Sequence, residues 1–168
     1  MNLSPGWENF YVVTSTAAAT LIGLMFVVIS LGADIAKTKK AHGVAQFVTP
    51  TFVHFAGVLF GSLVFLAPWP STLAPSIILG LSAAASLSYI MISSRGVTRL
   101  AFVQLGWDDY LFYFGLPFLA NIALIVFAFG LNLRMPYAAF GIAASIALQL
   151  LVATRNSWNV ALWISQNR

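Results

Sequence analysis

Side chains able to do acid–base, nucleophilic or metal chemistry are few in this chain, and their spacing matters more than their number. The carboxylates are Glu8, Asp34, Asp108 and Asp109. The histidines are His42 and His54, and there is no cysteine. A zinc site wants three or four nitrogen, sulfur or oxygen ligands at close spacing, which this set does not offer. A chain without cysteine has no thiolate ligand and no thiol nucleophile. No His-Glu-x-x-His, Gly-x-Ser-x-Gly, Walker loop or glycine-rich dinucleotide turn occurs. All three lysines, Lys37, Lys39 and Lys40, fall in one short polar segment, so no lysine sits in an apolar run to hold a Schiff base. An intramembrane protease would need an assisted serine or paired aspartates inside such runs, and neither pattern is present. The expectation is a protein that is not an enzyme and uses no cofactor and no metal. Adjacent Asp108 and Asp109 could hold a divalent cation, but magnesium sites add phosphate or further carboxylates. Acidic residues at a helix start are favoured by the helix dipole, and capping is the simpler assignment.

Polar residues inside apolar runs are the next candidates, because ionisable or amide groups are costly in lipid and tend to mark function. Thr51, His54, Gly57 and Gly61 share one helical face by their three- and four-residue steps. Asn121 and Gln149 lie well inside two further runs. Ser82, Ser86, Tyr89 and Ser93 form a hydroxyl stripe at steps of four, three and four. Thr51, His54, Ser82, Ser86, Asn121 and Gln149 are therefore the expected polar network or pore lining. The alternative role for each is to join helices by hydrogen bonds, as interhelical amides and hydroxyls do. Small residues recur as well: Thr14 to Thr20 with Gly23, the Gly57–Gly61 pair, Ala83 to Ala85, and Gly141 with Ser145. Small residues four apart let helix backbones approach closely. Pro117, just after Gly115, removes a backbone bond and clashes with the carbonyl of Tyr113, which predicts a kink near Asn121.

The elements that must position these residues follow from composition. Sixty per cent of the 168 residues are apolar and 7% are charged, against about 25% charged in a soluble domain. So few charges cannot cover a soluble surface, and disorder needs the opposite bias. Crossing a bilayer takes about 20 mainly apolar residues, and five such runs occur, at approximately 10–31, 47–67, 76–94, 110–130 and 137–157. Barrel strands alternate over about 10 residues; these runs are continuous and twice as long. The predicted fold is all-α: a single transmembrane domain, 1–168, of five helices.

Orientation comes from the connections. Lys37, Lys39, Lys40, Arg95, Arg99, Arg155 and Arg168 fall on one side of the predicted spans, and Arg134 alone on the other. Positive charge concentrates in cytoplasmic loops, so the N-terminus is expected outside and the C-terminus inside, in a bacterial inner membrane. The leader Met1–Asn9 carries Glu8 and no basic residue, unlike a cleaved signal peptide; span one is expected to stay. The net charge of +4 fits attraction to anionic headgroups and is too small for nucleic acid. The helical pattern of the last span continues to about Ser165, which would carry its end into the cytoplasmic interface. Lys37, Lys39, Lys40, Arg155, Asn156 and Trp158 are the candidates for contact with a partner there. Trp7, Tyr11, Trp69, Trp107, Tyr110 and Tyr137 sit at span ends, as interfacial anchors do.

Trp7-Glu8-Asn9-Phe10-Tyr11-Val12, Ala17 to Ala19, Gly23 to Ser30 and the late Asn156-Ser157-Trp158 resemble a group of small bacterial multi-span proteins. Some of these carry the label of modulator of the FtsH protease. The resemblance covers about a third of the chain and implies a regulatory membrane partner, with no catalytic residues to carry over. Two functions are thus expected: a self-associating channel-like or transport-like assembly, or an accessory subunit of another membrane complex.

Overall fold

The computed structural model describes residues 6–32, 41–98 and 106–166. These form α1 (Glu8–Leu31), α2 (Ala41–Leu66), α3 (Leu73–Thr98), α4 (Trp107–Tyr110), a π-turn (Leu111–Gly115), α5 (Leu116–Asn132) and α6 (Ala138–Gln166). The segment from α4 to α5 is one continuous helix, so five helices are long and apolar enough to cross a membrane. Each of the five expected runs falls on one of these helices, and α6 continues to Gln166. Lys37, Lys39 and Lys40 lie outside the described residues.

Neighbouring helices run up and down. Tyr11 stacks on Phe65 and Phe26 meets Phe52, so α1 and α2 are antiparallel. On α2, a Cβ at Gly57 would meet Gln149 and one at Gly61 would meet Ile146, which sets α6 antiparallel to α2. On α3, Gly80 faces Phe129 of α5, and Thr72 before it donates to Asn132 at 2.8 Å. Gly141 of α6 lies against the ring of Phe127. Thus α2 and α6 pack together at the centre, α1 covers one side of the pair, and α3 and α5 the other. One end of the bundle, called the near end below, holds the starts of α1 and α6. The other, the far end, holds the start of α2 and the close of α6.

The core lies where these helices meet. Val58, Leu79, Ala83, Leu124, Ala128, Ile142 and Ile146 fill its middle, and Met25, Phe55, Ala153, Val160 and Ile164 its far half. The outward faces are apolar too: Val13, Leu24, Phe26, Leu81, Ile92, Leu119 and Leu151 are all exposed. An outer surface of this kind suits hydrocarbon, where only closed backbone ladders are stable.

Pro117 is accommodated by a change of helix type. The π-turn immediately precedes it and contains Tyr113, whose carbonyl the proline cannot hydrogen-bond. A single widened turn of this sort absorbs such a mismatch. At the near end, α5 closes on Arg134, which takes φ of 52°. Met135 N–H then reaches Gly130 O at 2.9 Å and Arg134 N–H reaches Leu131 O at 3.4 Å, the paired bonds of a left-handed helix stop.

Candidate functional site: a buried polar column

The inner faces of α1, α2 and α6 carry an unusual number of polar groups. On α2, Thr51, His54 and Ser62 are buried; Thr51 to Ser62 spans about 16 Å along the helix. On α6, Ser145, Gln149 and Asn156 are buried at steps of four and seven, which keeps them on one face. Tyr11 and Thr14 add to the column from α1. All of these lie within helices long and apolar enough to cross a membrane.

Part of the column is internally satisfied. Thr14 and Ser62 hydroxyls share a hydrogen bond at 2.9 Å, which ties α1 to α2. Ser145 donates to Gly141 O at 2.7 Å. Asn156 donates from Nδ2 to Phe112 O in the π-turn at 3.1 Å, and Tyr113 donates back to Asn156 O at 3.5 Å.

The middle of the column is not satisfied. His54 is 1% exposed, yet neither Nδ1 nor Nε2 has a partner among the described residues. Gln149 is 4% exposed and its Nε2 is likewise unpaired. The antiparallel register puts Gln149 opposite Gly57, one turn from His54, so the two groups lie within about 5 Å of each other along the axis. The Tyr11 hydroxyl and Asn156 Oδ1 are unpaired toward the two ends. An unpaired buried polar group costs about 1–3 kcal/mol, so this cluster calls for hydrogen-bond partners from outside the chain. It offers amide, imidazole and hydroxyl groups, with no Asp, Glu, Lys or Arg among them.

No family model, curated protein or solved structure matches this chain. The site therefore has to be read from its own geometry.

The six residues expected to act together divide into two groups. Thr51, His54, Asn121 and Gln149 are buried, while Ser82 and Ser86 are half-buried on the flank of α3. Asn121 turns back on its own helix and donates to Pro117 O at 2.8 Å, so it supports the strand of backbone beside the π-turn. Ser82 donates to Leu79 O at 2.9 Å. Among the residues expected to face a partner, Arg155 and Asn156 are used inside the chain, and Trp158 is 64% exposed.

The engagement of Arg155 was not visible in the sequence. Its guanidinium lies 3.1 Å from Asp108 and 3.5 Å from Asp109, and stacks 4.1 Å over the Phe112 ring. The two aspartates do occupy the first turn of α4, as dipole capping anticipates, but neither caps a backbone N–H there. Their role is to hold Arg155. Together with Asn156 and Phe112, this clamp locks α6 against the π-turn.

Tyr11 also differs from its expected place. It sits at a span end by position, but it is 1% exposed and stacked on Phe65. Its ring turns inward, and Trp7 and Phe10 pack around it.

Proposed function

We propose that this chain is a multi-pass protein of a bacterial inner membrane, N-terminus outside and C-terminus inside, with a transport-like role. Its helices self-associate into a homo-oligomer, and each copy handles a small neutral or protonic species along the column. The observation that carries this reading is the pair of unpaired groups, His54 and Gln149, at the middle of the bundle. Cores normally pair such groups, and polar groups held unpaired at membrane depth mark pathways. The basic residues support the orientation, since seven of the eight fall on one side.

The test is flux in proteoliposomes under proton, potassium and glycerol gradients. At least one gradient is expected to dissipate faster than in protein-free vesicles. His54→Leu is expected to slow that flux about tenfold or more, with the protein still folded by circular dichroism. Vesicles that hold every gradient overturn the reading.

A second reading is favoured by the outer face of α6. Leu151, Trp158 and Leu162 are exposed on one ridge running from the middle of α6 toward the far end, which fits an accessory subunit docked on another membrane complex. The resemblance of Trp7 to Val12 and Gly23 to Ser30 to proteins labelled as protease modulators points the same way. A stoichiometric foreign partner recovered in mild detergent, and lost in Trp158→Ala, would favour it over the transport reading.

A further inference from the structure

Gly57 is the one position of the column's central turn that opens outward. It is exposed, although it lies between buried His54 and Val58. A Cβ placed on it would meet nothing within 4 Å except Gln149 Oε1, at 3.4 Å. The missing side chain therefore leaves the Gln149 amide next to the surface of the bundle.

The flank of α3 shows what this surface belongs to. At Leu79, α3 packs on α2: the Leu79 side chain lies 3.7 Å from where a Gly61 Cβ would sit. Ser82, Ser86 and Tyr89 follow Leu79 on the same flank, stepping toward the far end. Gly57 follows Gly61 in the same direction by one turn. At that depth neither side is closed, since Ser82, Ser86 and Tyr89 are half-buried and Gly57 is exposed. The two helices meet at Gly61 and leave a cleft beyond it. One wall carries hydroxyls, the other has bare backbone at Gly57, and the Gln149 amide, whose Nε2 is unpaired, lies beside it.

We infer that this cleft between α2 and α3 is a binding site for the head of a neutral amphiphile, a long-chain alcohol or carbonyl compound, admitted sideways from the bilayer. Three observations select that class. The opening lies within the apolar helix lengths, so the ligand's body is apolar. No Asp, Glu, Lys or Arg lies between Val48 and Ser94 on either wall, so nothing there would balance a charged head. The orphaned groups are an amide donor and an imidazole, which pair with a hydroxyl or a carbonyl. The inference rests on reading His54 and Gln149 as ligand-handling groups.

The experiment is photolabelling of the full chain in phosphatidylcholine nanodiscs. The probe is a long-chain primary alcohol with a diazirine beside its hydroxyl, and the comparison is the matching alkane diazirine. The alcohol is expected to label α2 around Gly57 and α3 over residues 82–89, while the alkane labels the outward faces broadly. Gly57→Leu fills the notch and is expected to cut the cleft label about tenfold. Gln149→Met keeps volume, removes the amide and is expected to cut it severalfold, which covers the case that Gly57→Leu misfolds. Gly23→Leu, on the exposed face of α1 with nothing within 4 Å, is expected to leave it unchanged. Identical alcohol and alkane patterns, or a cleft label that survives both Gly57→Leu and Gln149→Met, overturn the inference. Proteoliposome flux in the same variants separates the two readings. Flux without a cleft label removes the amphiphile and leaves transport. A cleft label without flux removes transport and leaves the site.

Discussion

Arg155 sets the scale at which single residues matter here. Its charge lies on the far half of α6 and is met by two carboxylates and an aromatic face. Asp108 is largely exposed and Asp109 less so, so the ion pairs alone contribute modestly, as exposed pairs do. The stacking on Phe112 adds about 0.5–2 kcal/mol. Arg155→Ala is therefore expected to lower stability by about 1–2 kcal/mol, read as a drop in Tm in detergent. Arg155→Lys keeps the charge but loses the planar fork that reaches both aspartates at once, and should recover only part of it. In a double-mutant cycle, Arg155→Ala with Asp109→Asn is expected to cost less than the sum of the single changes. Strict additivity would show that the clamp holds nothing. The sequence did reveal Asp108, Asp109 and Arg155 as boundary residues. It hid their meeting, because 46 or 47 residues separate them and nothing local states which face α4 turns to α6. His54 and Gln149 were legible for the opposite reason: a polar group in an apolar run is conspicuous before any fold is known.

Helix faces decide the next level, and the glycines separate packing from mere flexibility. Gly141 was legible as a small residue in a span, but only the bundle shows the Phe127 ring lying over it. Gly141→Ala places a methyl where that ring now sits. Overpacking a fixed contact costs about 1–3 kcal/mol, more than the roughly 1 kcal/mol an alanine gains over glycine in a helix. Gly23→Ala meets nothing within 4 Å, so there the propensity gain stands alone. Thermal melts of the two variants are expected to move in opposite directions, Gly141→Ala down and Gly23→Ala up. Equal shifts would mean that α5 and α6 do not pack as closely as Phe127 and Gly141 imply. The break at Pro117 was similarly half-legible. Proline chemistry states that the bond to Tyr113 O is lost, but not whether the helix bends or widens. Here the neighbouring α6 decides, since Asn156 takes up the Phe112 carbonyl and Tyr113 bonds to Asn156 O. These bonds hold the extra residue of the π-turn in place.

At the scale of the whole molecule, span number and length were readable because bilayer thickness fixes them, whereas packing order was not, since all five helices carry similar apolar faces. Orientation depends on charges in the connections, and Lys37, Lys39 and Lys40 are three of the seven basic residues on their side. The chain's lack of cysteine makes this directly measurable, because a single introduced thiol is the only target for a maleimide. Met135 lies in the near-end turn and Ser165 near the close of α6 at the far end, both exposed. In intact cells with the outer barrier opened, Met135→Cys is expected to react with a membrane-impermeant maleimide, and Ser165→Cys only after the inner membrane is permeabilised. The reverse pattern would invert the orientation and place the basic connections outside. Labelling of both in intact membranes would show copies in two orientations, as weak charge bias permits. Adding Lys residues to the near-end turn, beside Arg134, should then shift the balance, because flanking positive charge sets which side a short loop takes. The up-and-down order of the helices makes this one measurement fix the side of every connection at once.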